Sequence, residues 1–126
     1  MKIAVVTGGS GSIGSRVCAA LAERGFSVAI VYNSSGEAAK ALSSELSGLY
    51  APCGAFHADV TDPEQVARLF SDVRLTLGRP SVLVNCAGKA RIKPFDLFTP
   101  DEWRGMIDVN LSGAFFCCQE ALKDML

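Results

Sequence analysis

The apolar positions of this chain follow two periods in turn. Residues 3–6, Ile-Ala-Val-Val, are an unbroken apolar run with three β-branched side chains, which predicts a short buried strand. The period then becomes helical. Ile13, Val17, Ala20 and Leu21 fall on one face and Gly25 stands where a C-cap belongs. Residues 26–32 predict a second strand, and Asn33-Ser-Ser-Gly36 breaks it. Ser34 or Ser35 can cap the next helix, which directs Ala38, Leu42 and Leu46 inward and ends near Gly48. A third strand is expected around residues 53–58, ending at Asp59. Asp62 then reads as an N-cap, Pro63 as the first helical residue and Gln65 as the closing member of a capping box. Val66, Leu69, Phe70, Val73 and Leu77 recur at helical spacing until Gly78 and Pro80 stop them. Residues 81–85 predict a fourth strand, residues 86–88 a turn and residues 89–98 a longer loop. Thr99-Pro100-Asp101-Glu102 opens a last helix. Its apolar stripe is Trp103, Met106 or Ile107, Leu111, Phe115, Cys118, Leu122 and Met125, with Trp103 and Phe115 expected in the core.

Strands that alternate with helices predict βαβ units and a parallel sheet. The expected fold is α/β, a Rossmann-like doubly wound sheet in one domain over residues 1–126. It is incomplete, with about four strands where such sheets commonly have about six. The fourth strand and the last helix are each expected to leave a surface uncovered.

Composition removes several function classes. There are 12 Lys and Arg against 13 Asp and Glu, a formal net charge of −1. Basic residues are scattered, so neither a nucleic-acid footprint nor an anionic membrane surface is expected. No apolar run reaches membrane-spanning length. The five cysteines are odd in number and form no Cys-x-x-Cys pair. That argues against a disulfide framework or a zinc site and for a reducing, cytoplasmic setting. His57, the single histidine, reads as a core or strand-end residue.

The candidate chemistry lies in the first turn. Gly8, Gly9, Gly11 and Gly14 follow a strand and open a helix. Glycine permits a tight turn and leaves no Cβ between backbone and a bound phosphate, and the helix N-terminus offers free N–H groups to an anion. This context points to dinucleotide binding.

Further residues extend the pattern, and together they resemble the short-chain dehydrogenase/reductase family, in its N-terminal half. Thr7-Gly8-x-x-x-Ser12-Ile13-Gly14 is similar to the Thr-Gly-x-x-x-Gly-x-Gly cofactor turn. Asp59-Val60 is similar to the pair that contacts adenine. Asn85-Cys86-Ala87-Gly88 resembles the Asn-Asn-Ala-Gly turn, and Asn110-Leu111-Ser112-Gly113 the segment bearing the family's conserved Asn. Ser12 replaces the middle glycine, and Gly11 stands where a basic residue is frequent. Read as Gly8-x-x-Gly11-x-x-Gly14, the turn also resembles the extended, epimerase-type branch, but the segments at 85 and 110 favour the simple oxidoreductases. Among these the β-ketoacyl-acyl-carrier-protein reductases look nearest.

The resemblance implies cofactor contacts from Gly8, Ser10, Gly11, Ser12, Ile13, Gly14, Asn33, Ser34, Asp59, Val60, Asn85, Ala87 and Gly88. It implies that Asn110 holds a water in a proton relay. The family's Ser and Tyr-x-x-x-Lys are absent, because Tyr32 and Tyr50 are followed four residues on by Gly36 and Gly54. The chain is therefore expected to be truncated before its catalytic groups and inactive alone. The complete enzyme is expected to move hydride between nicotinamide and a small carbonyl or alcohol substrate, as a homo-oligomer. The second strand ends in Tyr32-Asn33-Ser34 without a carboxylate to repel a 2′-phosphate, which favours NADP while leaving NAD open. The alternatives are a non-catalytic nucleotide-binding or interaction module and a fragment of an extended-branch epimerase or dehydratase.

Overall fold

The computed structural model describes residues 2–126. Strands β1 (Ile3–Thr7), β2 (Ser27–Tyr32), β3 (Gly54–His57) and β4 (Val82–Asn85) form one parallel sheet in the order β3-β2-β1-β4. β1 pairs with β2 from Ile3↔Ser27 to Thr7↔Val31, and with β4 from Ala4↔Val82 to Thr7↔Asn85. The two central strands are buried almost throughout, as expected of apolar runs covered on both faces.

Alternation along these strands divides the core in two. Ile3, Val5, Ala29 and Val31 face helix α3 (Pro63–Thr76) and helix α5 (Gly113–Met125), meeting Val66, Leu69, Phe70, Val73, Cys117 and Ala121. Val6, Val28 and Ile30 face helices α1 (Ser12–Glu23) and α2 (Gly36–Leu49), meeting Cys18, Ala22, Ala39 and Leu46. Helices thus cover both faces of the sheet, which is the doubly wound arrangement. Arg74 of α3 fastens that layer to α5, its Nε donating to Asp124 at 2.9 Å.

Three helix faces differ from the periodic expectation. On α1 the buried residues are Gly14, Cys18 and Ala22, while Ile13 is 73% exposed and Ala20 is also exposed. The stripe of small residues lets the helix axis come close to the sheet, and that contact outweighs the burial of one isoleucine. On α2, Ala39 rather than Ala38 is buried, beside Leu46. The largest change is in the last helix. It runs as α4 (Pro100–Ile107), a π-helical turn (Asp108–Ser112) and then α5. A π turn inserts a residue into the helical repeat and rotates everything after it. Gly113, Cys117 and Ala121 therefore face the core. The part of the expected stripe beyond the turn faces outward instead, and Trp103 before it is exposed too, while Met106 and Ile107 are half-buried. Trp103 is 58% and Phe115 59% exposed, and Leu111, Cys118, Leu122 and Met125 are exposed as well. A Cβ at Gly113 would lie 2.7 Å from Val60 Cγ2, so α5 sits directly on the turn after β3.

The capping signals hold with two changes. Asp62 accepts from the Glu64 N–H at 3.0 Å with Pro63 at the first position. Gln65 closes no box on Asp62. Its Oε1 accepts the Asp59 N–H at 2.9 Å and its Nε2 donates to Asp62. Ser35 occupies the N-cap of α2 without a side-chain cap bond. Thr99 and Glu102 form a full reciprocal box at α4. Glu102 also binds Lys93 at 2.8 Å and Arg91 at 3.1 Å, which ties the loop before α4 to the helix.

Lys93 and the Thr99 backbone hold the Glu102 carboxyl down to about 2, from an ordinary value of 4.5. A carboxyl depressed in the folded state contributes stability above 4.5, and that contribution is lost as pH falls toward 2. Trp103, the single tryptophan, adjoins it. In urea titrations followed by Trp103 emission, the unfolding midpoint should fall across this window, and Glu102→Gln should flatten the fall. An unchanged slope in the variant would remove Glu102 as its source.

Candidate functional site

The carboxyl ends of all four strands open into one cleft of about 660 Å³. It lies where the connections part: β1 leads outward to β2, whereas β4 lies on the other side of β1. Ligands of open parallel sheets bind at such a switch point. Its walls come from the turn after β1 (Gly8, Ser10, Gly11), the end of β2 (Val31 to Ser35), the end of β3 (Ala58 to Thr61), the turn after β4 (Cys86 to Lys89), and Gly105, Asp108 and Val109.

The first turn is built from backbone. Gly8 has φ +60°, a left-handed conformation that favours glycine. A Cβ there would lie 2.8 Å from Ala87 N and Cys86 C. A Cβ at Gly14 would run into the Gly8 carbonyl. Thr7 locks the two turns together. Its carbonyl accepts the Cys86 N–H and its Oγ1 accepts the Ala87 N–H, each at 3.2 Å. The Gly11 N–H turns back to the Gly8 carbonyl at 3.1 Å.

The helix that follows is electrostatically distinct. Gly11 is the N-cap of α1 and supplies no side-chain cap, and the first turn carries no acidic residue. Helices α2, α3 and α4 each carry one or two, namely Glu37, Glu64, and Asp101 with Glu102. The N–H groups of Ser12, Ile13 and Gly14 therefore have neither an intrahelical acceptor nor a competing carboxylate. This is the donor set an anionic diphosphate requires.

Of the residues expected to contact cofactor, Gly8, Ser10, Gly11, Asn33, Ser34, Asp59, Val60, Ala87 and Gly88 line the cleft. Ser12 and Ile13 border an adjoining groove along α1 with Arg16, Val17 and Ala20, and Gly14 is buried beneath the turn. Asn85 points elsewhere, its Nδ2 donating to Cys118 Sγ at 3.6 Å. Asp59 holds its own loop, with Oδ1 accepting from Thr61 N at 3.0 Å and Thr61 Oγ1 at 2.7 Å. Tyr32 meets His57 edge-on with centroids 5.6 Å apart, and His57 is an exposed strand-end residue.

Asn110 lies within the π turn and reaches the cleft rim. Its Oδ1 accepts the Lys89 N–H and its Nδ2 donates to the Lys89 carbonyl, both at 2.8 Å. Both ends of the amide are thus spent on the β4 turn, which makes Asn110 a positioning residue for that wall. Lys89 and Gly105 had no local sequence signal, because the loop and α4 bring them in from a distance. Asp108 reads from sequence as an ordinary solvated carboxylate.

Four of the five thiols are poor nucleophiles. Burial pushes Cys18 and Cys117 up to about 12 and raises Cys53 and Cys86. Among the described residues no His, Cys, Asp and Glu cluster could hold a metal ion, and no helix is long and apolar enough to cross a membrane.

The short chain dehydrogenase family profile matches residues 2–126. A 3-oxoacyl-acyl-carrier-protein reductase, FabG, of Staphylococcus aureus is 38% identical over 99% of this chain and 51% of its own length. A D-threitol dehydrogenase of Mycolicibacterium smegmatis is 36% identical over 99% of this chain and 48% of its own. Among solved structures, a double variant of a Serratia marcescens short-chain dehydrogenase/reductase superposes with a TM-score of 0.92 at 30% identity. A blue fluorescent protein from a metagenomic library, in complex with NADPH, gives 0.92 at 34%. Each structure covers 98% of this chain and is itself covered to 51%. The chain belongs to the short-chain dehydrogenase family, whose members use nicotinamide cofactors, and it spans about half the length of the curated relatives it matches.

The Asn110 clamp has a direct readout. Asn110→Ala removes both bonds to Lys89, and the loss should be about 1–2 kcal/mol of stability in a solvent-accessible setting. Hydrogen exchange at the Lys89 amide should quicken by about tenfold or more. Asn110→Asp keeps an acceptor for that N–H and should preserve most of its protection. Equal exchange in all three proteins would refute the clamp.

Proposed function

We propose that this chain is the nucleotide-binding half of an NADP(H)-dependent short-chain oxidoreductase acting on a ketone or alcohol, with β-ketoacyl thioesters the leading substrate class. The observation that carries the reading is the uncapped, acid-free N-terminus of α1, set beside a left-handed Gly8 in the cleft at the switch point. In this reading the N–H groups of Ser12, Ile13 and Gly14 hold the pyrophosphate. The Asp59 carboxylate, fixed through Oδ1 by Thr61, offers Oδ2 to the amino group of adenine, and Val60 borders the base. Asn33 and Ser34 at the end of β2 receive the ribose and its 2′-phosphate, while Ala87 and Gly88 present bare backbone to the sugar. Asn110 keeps that backbone in place through Lys89.

When bound, the nicotinamide supplies or accepts hydride. Proton transfer to the substrate oxygen needs a positioned acid. No Tyr-x-x-x-Lys is present here, and the buried thiols are held neutral. The relatives' names support reduction of an acyl-carrier-protein thioester or oxidation of a polyol. The nearly equal identities of those two relatives leave the fold to support the reaction class more strongly than the substrate.

The chain as given should bind NADPH, measured by titration calorimetry or nicotinamide fluorescence, and should not oxidise it with acetoacetyl thioesters or diketones. Turnover of about 1 per second or more would show acid–base work by a residue in this half.

Cofactor preference has its own test. Asn33→Asp places a carboxylate at the end of β2, where it should repel the 2′-phosphate and accept ribose hydroxyls. The Kd ratio of NADPH to NADH should shift toward NADH by about tenfold to a hundredfold. A stronger grip on NADH than on NADPH by the unaltered chain would make the cofactor NAD.

A further inference from the structure

Lys89 is the single basic residue among those lining the cleft, which also include two carboxylates, Asp59 and Asp108. Its ammonium makes no ion pair or hydrogen bond among the described residues, whereas the other basic residues of the loop and of α4, namely Arg91, Lys93 and Arg104, are paired. Its backbone is held on both sides by Asn110 at 2.8 Å, so the side chain leaves from a fixed point. Gly105 leaves room for it on α4, where an added Cβ would lie 3.8 Å from Lys89 Nζ.

We infer that Lys89 is a cofactor-affinity and specificity determinant, supplying the positive charge that draws a polyanionic dinucleotide into this cleft. The inference rests on the dinucleotide reading above and deepens it. Neither the turn after β1 nor the end of β2 carries a cationic side chain into the cleft. The backbone N–H groups of α1 can hold one diphosphate, but they do nothing to offset Asp59 and Asp108. A dinucleotide with an added 2′-phosphate brings about two more negative charges. A single fixed cation then favours NADPH over NADH through space, without an arginine at β2.

The test uses the full chain and measures dissociation constants for NADPH and NADH with Lys89, Lys89→Gln and Lys89→Arg. The Lys89 ammonium makes no hydrogen bond or ion pair among the described residues, so the variants should melt close to the temperature of the parent. At about 0.01 M ionic strength, where charges act over about 30 Å, Lys89→Gln should weaken NADPH by about tenfold and NADH by about threefold. At about 1 M, where the range is about 3 Å, both losses should shrink toward unity. Lys89→Arg should restore the preference. Equal losses for the two nucleotides, or losses unaffected by salt, would overturn the charge role and make Lys89 a packing residue. If the parent binds and Lys89→Gln binds equally well, the inference fails while the dinucleotide reading stands. If the parent binds neither nucleotide, both fall together.

Discussion

Three stretches of backbone meet around Gly8 with no side chain between them, and much of the molecule follows from that contact. The carbonyl of Gly8 lies against Gly14, and its α-carbon lies against the Cys86–Ala87 peptide. The first approach sets the rotation of α1 about its axis. With Gly14 inward, Cys18 and Ala22 must follow it at intervals of four, and Ile13 is turned to solvent. The second approach brings the ends of β1 and β4 together, where Thr7 bonds across the gap. A helix end aimed at the switch point is the geometric result. Any Cβ at Gly8 would need both a strained φ and a separation of the two turns.

The opposite wall is organised by polar clamps. Asn110 grips Lys89 and Glu102 gathers Lys93 and Arg91, while away from the cleft Arg74 reaches Asp124. Each joins segments distant in sequence or a loop to a helix. Individually they are worth little at a surface, but on α4 they act where no side chain is buried. Helix α4 has no buried residue, so its position depends on its cap and these ion pairs. The π turn between α4 and α5 lets one half follow the cleft rim while the other packs its small residues on Val60.

Most of the fold was legible in the sequence, because strands, turns and caps are local statements. The apolar run at residues 3–6, the proline after Asp62 and the box at Thr99 each specify structure within a few residues. The family likewise showed in short motifs, and nine of the expected cofactor contacts line the cleft. Helix rotation was less legible. On α1, hydrophobicity favoured Ile13 and close approach favoured Gly14, and only the packed sheet decides between them. On the last helix the stripe through Phe115 assumed an unbroken repeat, which the turn at Asp108–Ser112 interrupts. The orientation of Asn85 away from the cleft and the place of Lys89 within it were illegible for the same kind of reason. Where the Asn85 side chain points depends on Cys118, and what holds the Lys89 backbone is Asn110, partners 33 and 21 residues away.

The order of the strands also carries a kinetic consequence. β1 reaches its first neighbour across Ile3↔Ser27, but its second only across Ala4↔Val82. Closing the longer loop costs about 1 kcal/mol more in chain entropy, and as the chain emerges from a ribosome β4 is made after β1, β2 and β3. The β1–β2 half can form early, so the seam between Thr7 and the β4 turn is the late event. Until it closes, the two central strands show one open edge to other chains, the condition in which parallel sheets are prone to mispairing. A ligand that spans both turns would act on this step, holding the seam shut and protecting the nascent protein as well as equipping the mature one.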